Sequence, residues 1–229
     1  MKKKLFIKSL LVSILCFATT SCIDIFDGFL FDNEEDEDPQ KYVDQYFTKE
    51  QQDIANTAKN VSYLTEEEKK VIFFCNLARL DGRAFSDGLL DMRESTDIYE
   101  KSLVEMLDTT KDLPMLIPNE QLCKAAAYHA EDIGSKGIFQ HNSSDGTKTF
   151  DRLKRYYKGN AMGENISGGY DKAIYIVCDL LIDQGIPTYG HRLNILSPKY
   201  TRIGTAIRKH TVYNYCCVQD FSDAAGDKK

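Results

Sequence analysis

The residues of this chain that can do acid–base or metal chemistry are few, and their neighbours sort them. There are four histidines. His129 falls on the apolar side of a helical pattern formed by Leu122, Ala125, Ala126 and Ile133, where a satisfied core histidine is the plain reading. His210 follows Lys209 in the turn of a hairpin and is expected at the surface. His141 and His191 are read as loop residues at the ends of elements, where functional groups concentrate. Between them runs Gly163-Glu164-Asn165-Ile166-Ser167-Gly168-Gly169, which places a carboxylate inside an otherwise apolar strand. A half-buried glutamate is costly unless an imidazolium or a metal pairs with it. Two imidazoles and a carboxylate are also donors that suit zinc, although no HExxH motif is present. Three readings follow: a metal-assisted hydrolytic centre with Glu164 as general base, a ligand-binding cleft, or a hydrogen-bonded network that ties loop to sheet. A serine nucleophile is not indicated, because Ser167 lacks the GxSxG setting.

These groups need elements to hold them. Thr65 and Glu68 form a capping box, and Val71, Ile72, Phe74, Cys75 and Ala78 extend a wide apolar face behind it. Weaker helical patterns cover 98–107 and 145–154, and a stronger one starts after Pro118-Asn119. Residues 162–167 read as a strand, 171–182 as a helix, and 202–208 with 212–221 as a terminal strand pair. The order predicts an α+β fold with helices packed on a modest sheet.

Composition limits the function classes. The chain has 229 residues and a net charge of -6, and four lysines lie in the first 21 residues, so a product beginning at Cys22 carries -10. That balance offers no field for nucleic acid. Met1 to Ala18 joins a basic start to a short apolar stretch, and Thr19-Thr20-Ser21-Cys22 follows, which together read as a lipoprotein-type export signal over 1–21 with Cys22 as the acylated residue. The stretch is too short to span a bilayer, so lipid at Cys22 would tether the chain to a bacterial membrane at the cell envelope. Eight carboxylates between Asp24 and Asp38, with no base among them, predict a solvated spacer. Residues 22–62 are accordingly read as an acidic linker and polar extension, 63–221 as the domain, and 222–229 as a loose polar tail. Of seven cysteines, Cys75, Cys123, Cys178, Cys216 and Cys217 belong to the domain, with no metal-type CxxC pair, and are expected as buried thiols.

Taken together, Leu122, Ala125-Ala126, His129-Ala130, Asp132-Ile133, Gln140-His141, Gly163-Glu164-Asn165-Ile166, Gly190-His191-Arg192-x-Asn194-Ile195, Gly204 and Gln219-Asp220-Phe221 resemble the CAP superfamily, and its bacterial branch in particular. These are the cysteine-rich secretory, antigen-5 and pathogenesis-related proteins, with an SCP-like domain. Asn76 and Arg79 resemble the family's N-x-x-R. The resemblance covers about residues 63–221. It implies a three-layer α-β-α sandwich with a small mixed, mainly antiparallel sheet, and a broad cleft lined by two histidines and two acids. Carried over, His141 and His191 match the metal-holding pair, zinc being the usual ion, and Glu164 matches the glutamate of the GEN strand. The second acid has no direct counterpart: Leu181 stands where it is expected, and Asp183 is the substitute two residues on. Asn165, Tyr189, Arg192 and Asn194 are expected beside the cleft, with Arg192 and Asn194 either capping the loop or facing a ligand. Family members are chiefly secreted interaction proteins, so a small ligand, an envelope polymer or a protein is the expected partner, and catalysis is left open.

Overall fold

Reciprocal capping by Thr48 and Gln51, and again by Thr65 and Glu68, starts the helices at Lys49–Ala55 and Glu66–Leu80, because each threonine hydroxyl accepts an orphan backbone N–H while the residue three positions on returns a bond. The computed structural model describes residues 38–227. The export signal, Cys22 and nearly all of the acidic run lie outside them. Two short helices, α1 (Gln40–Tyr46) and α2 (Lys49–Ala55), precede α3 (Glu66–Leu80). Then come α4 (Gly82–Phe85), which runs into a π-helical turn at Ser86–Leu90, and α5 (Ile98–Thr109). A two-residue strand β1 (Ile117–Pro118) leads to α6 (Glu120–Lys136), α7 (Thr149–Tyr156), β2 (Met162–Gly168), α8 (Ala173–Ile182) and α9 (Gly190–Ile195). The long hairpin β3 (Arg202–His210) and β4 (Asn214–Ser222) closes the sheet.

The strand order is β1-β3-β4-β2, with β1 parallel to β3 and the other pairs antiparallel. Alternation along β4 divides the core in two. Cys216 and Val218 face α6, where they join Ala126, Ala130, Ile133, Ile166 and Ala206. Cys217 and Phe221 face the other side and pack with α3 and α8 residues such as Cys75 and Cys178. Helices therefore cover both faces, and the arrangement is the three-layer α-β-α sandwich expected. Gly204 explains how α6 lies so close to the sheet: a Cβ there would stand 2.0 Å from the backbone carbon of Leu122.

Three expectations need correction. The folded unit begins near residue 39 rather than 63, because Tyr42, Val43, Phe47, Ala55 and Ala58 are buried in the larger core. Its polar sequence hides this, since only a few apolar residues of each short helix point inward. The tail is docked as far as Asp227, which accepts bonds from Arg202 at 2.7 Å and from the Tyr157 hydroxyl at 2.8 Å. His210 is buried rather than exposed: its Nε2 meets the Ile138 carbonyl and its Nδ1 accepts from the N–H groups of Val212 and Tyr213, so it braces the hairpin turn. All five domain cysteines are buried free thiols. Among the described residues no helix is long and apolar enough to cross a membrane.

Candidate functional site

β2 is one of the two edge strands, and its consecutive residues Glu164 and Asn165 point to opposite faces of the sheet. Each serves one of the two histidines. On the α6 side, the exposed ring of His141 places Nδ1 at 2.9 Å from Glu164 Oε1. The backbone of His141 is fixed as well, its carbonyl accepting from Arg152 Nη1 at 2.9 Å and from the Thr149 hydroxyl at 2.8 Å. The other Glu164 oxygen is bound by Arg152 Nη2. Arg152 issues from α7, is fully buried, and also reaches the Ser143 hydroxyl.

Glu164 is thus a carboxylate surrounded by donors. Burial works against its charge, but the His141 hydrogen bond and the Arg152 guanidinium outweigh burial and hold its pKa below the ordinary glutamate value. Behind it stands Asp220, its direct cross-strand partner on the same face. Burial, and then the Glu164 charge, push the Asp220 pKa well up. No described N–H or hydroxyl donates to either Asp220 oxygen. It faces Glu164 across the strand pair, so burial and the Glu164 charge together favour its protonated form. His129 completes the cluster, with Nε2 donating to the Gln140 carbonyl at 3.0 Å and lying 3.9 Å from Glu164. Burial lowers its pKa, consistent with a neutral ring whose Nδ1 carries no proton.

On the α8 side, Asp183 caps the helix in a left-handed conformation at φ 57°. One oxygen meets His191 Nδ1 at 2.7 Å and the other accepts the Arg192 N–H at 2.8 Å, so a buried carboxylate fixes both ring and backbone. His191 is not in a loop, as the sequence reading had it, but is the second residue of α9, entered through Tyr189 at φ 51°. Arg192 turns inward and spends its donors on Leu181, Ile182 and Tyr99 carbonyls and the Ser102 hydroxyl, with the Tyr189 ring 4.6 Å from its guanidinium carbon. Asn165 donates to the His191 carbonyl and to Gln219, and accepts from Asn194 at 2.8 Å.

Of the residues predicted from sequence, His141, Glu164, His191 and Asp183 therefore form two imidazole–carboxylate pairs. Asn165 and Arg192 spend their side-chain polar atoms on protein partners, as does the Asn194 amide nitrogen, so these groups tie the loop after His191 to the sheet. Tyr189 stays half-exposed at the rim. Glu164, expected as a general base, has both oxygens engaged, by His141 and by Arg152, and a pKa held below the ordinary value. Arg152 and Asp220 were missed. Arg152 lies in a stretch rich in exposed cations, and nothing in that pattern marks one of them as buried; Asp220 is visible only once the register sets it opposite Glu164.

In both pairs Nδ1 is taken and Nε2 meets no described hydrogen-bond partner. Imidazoles held in this way by a carboxylate are the form found at metal centres. The fit to zinc is one of donor type alone: among the described residues no group of three or more His, Cys, Asp or Glu is placed to hold a metal ion.

The fold is an α+β sandwich with one imidazole–carboxylate pair on each side of the strand β2. Residues 73–221 match the sequence model of the cysteine-rich secretory protein family. The chain belongs to that family, the CAP proteins. It is 32% identical over 116 residues to the uncharacterized protein YkwD of Bacillus subtilis, covering 48% of this chain and 42% of that protein, so it spans less than half the length of this curated relative. Among solved structures it resembles an extracellular SCP-domain protein of Bacillus anthracis, with 27% identity, 48% of this chain and 34% of that one covered, and a TM-score of 0.41. An outer surface protein of Borrelia burgdorferi matches with 22% identity, 58% of this chain and 96% of that one covered, and a TM-score of 0.42.

Proposed function

We propose that this chain is an exported binding protein, tethered to a bacterial envelope membrane by lipid on Cys22, whose cleft takes a small ligand, an envelope component or a protein partner. The observation that carries the reading is the pair of imidazoles with Nδ1 on a carboxylate and Nε2 open, at His141 with Glu164 and at His191 with Asp183. Such nitrogens donate to or accept from a ligand in fixed directions, or coordinate a divalent cation, zinc by donor type. When bound, the cation supplies a Lewis-acidic point for ligand oxygens. The protein's own part is to orient His141 and His191, with Glu164 and Asp183 behind them. A hydrolase reading is less well supported, because it needs an accessible base and Glu164 is closed in by Arg152 and His141.

Calorimetric titration of zinc into residues 38–229, which hold every described element, tests the cleft. Binding is expected for the natural sequence, with loss in His141→Ala and in His191→Ala; equal heats for all three would remove the metal from the reading. Fatty-acid labelling of the full chain tests the tether, since label that persists in Cys22→Ala contradicts it.

A further inference from the structure

On several helices a lysine has an acid three or four residues away and pairs with it: Lys69 with Glu66, Lys70 with Glu67, Lys124 with Glu120, Lys136 with Asp132. The outer face of α7 departs from this habit. Lys148 just before the helix, Lys154 and Arg155 on it, and Lys158 two residues past its end are exposed, and none makes an ion pair to a described residue. Asp151 sits on the same helix at pairing distance in sequence from Lys154 and Arg155 and is bonded to neither. Four like charges within eleven residues repel one another over a range of about 8 Å at physiological salt, in a chain whose net charge is negative. Rings stand among them: Phe150 is 50% exposed on α7, Tyr128 is 41% exposed on α6, and Tyr128 meets Tyr156 at 6.4 Å between centroids. The helix itself borders the candidate site, because Thr149 and the buried Arg152 on its inner side bind the His141 carbonyl.

We infer that the α7 face is a docking surface for a linear anionic polysaccharide, whose sugar rings lie against Phe150 and Tyr128 while its carboxylate or phosphate groups meet Lys148, Lys154, Arg155 and Lys158. The inference rests on the binding-cleft reading and names the ligand class that would approach His141. Charge complementarity selects a polyanion, and flat apolar ring faces between cations select one made of sugars. An anionic bilayer fits less well, because the one exposed phenyl ring of the helix offers little to insert.

The test uses residues 38–229 with polygalacturonate as the anionic sugar polymer, neutral dextran as the uncharged one, and phosphatidylglycerol vesicles as the bilayer. Polygalacturonate is expected to bind with an affinity that falls steeply as salt rises, and dextran to bind far more weakly. Lys154→Glu with Lys158→Glu should weaken polygalacturonate by about tenfold or more, since each lost contact also forfeits counterion release. The same charge change made at Lys111 and Lys199, exposed and unpaired elsewhere, should leave it within about twofold of the natural sequence. Absence of polygalacturonate binding, equal losses in the two double variants, or capture by vesicles but not by polymer would each overturn the inference. Zinc titration reports on His141 and His191 independently, so failure of the cleft reading and failure of the α7 face are told apart.

Discussion

Arg152 and Glu164 form an ion pair in which the side chains are 1% and 2% exposed, and the pair is the hinge between α7, the His141 segment and the edge strand. A buried pair gains little over an apolar pair of the same shape, but breaking it strands a charge. Arg152→Met leaves Glu164 without its main counter-charge and should cost about 3–5 kcal/mol in urea unfolding. Restoring apolarity on both sides with Arg152→Met and Glu164→Leu should recover much of that loss. If the single variant unfolds like the natural protein, the pair does not hold the cleft together.

The Asp183 carboxylate acts on the second histidine in the same way, but through a strained backbone. Asp183→Asn keeps the shape, tolerates the left-handed conformation, and removes the charge behind His191 Nδ1. Loss of such an outer-shell partner weakens metal affinity by about 10–100-fold. Zinc titration of the variant should show that decrease with the melting temperature nearly unchanged. An unaltered zinc isotherm would mean that Asp183 only caps α8.

Much of this architecture is legible in the residue order, and the failures have physical causes. The capping pair Thr65 and Glu68, the apolar spacing of α6 and the alternation in β4 each state their element locally. The candidate histidines are legible because both stand outside apolar stripes. Arg152 is not, because burial of an arginine depends on which carboxylate the fold brings to it. His210 is misread for a related reason: its turn looks polar, and only the packing of 138–139 against the hairpin closes it off. The short helices 40–46 and 49–55 contribute few apolar residues each, so their membership in the core is settled by tertiary contact rather than by pattern.

Gly204 offers a test of the layer spacing. Its Cβ would meet backbone atoms of Leu122 and Cys123 at 2.0 to 2.4 Å, and backbone cannot step aside as a flexible side chain can. Gly204→Ala should force α6 off the sheet and cost at least the ~1–3 kcal/mol typical of overpacking. Because α6 carries His129 beside Glu164, the variant should also weaken zinc binding if it folds. Natural stability in Gly204→Ala would show that α6 sits farther from β3 than described.

The domain thiols give a simpler readout. Burial pushes Cys75, Cys123 and Cys217 up to about 12 and Cys216 to about 11, and it raises Cys178 as well. Thiolate is the reactive form, so an aromatic disulfide reagent at pH 8 should label almost none of the five in folded residues 38–229 and all of them after unfolding. Fast labelling of one thiol in the native state would place it at the surface.

Acid sensitivity follows from His129. The folded protein holds this ring neutral because burial lowers its pKa below the ordinary value of 6.5, while the unfolded chain protonates it near that value. Between the folded and unfolded values the unfolded state binds more protons, so the stability from His129 is complete above pH 6.5 and declines as pH falls below it. Glu164 acts in the same direction at lower pH, its contribution present above the unfolded carboxylate value and lost as pH falls through the depressed folded one. Asp220 has the opposite sign, since its raised pKa favours the fold while the proton is on and withdraws that help as pH rises. Between pH 7 and pH 5 Asp220 thus offsets His129, and the His129 share is read as the gap between the natural protein and a variant that cannot titrate there. His129→Gln, which can still donate to the Gln140 carbonyl but cannot take up a proton, should be less stable than the natural protein at pH 7 and close much of that gap by pH 5. An equal gap at both pH values would leave His129 as a packing residue with no part in the acid response.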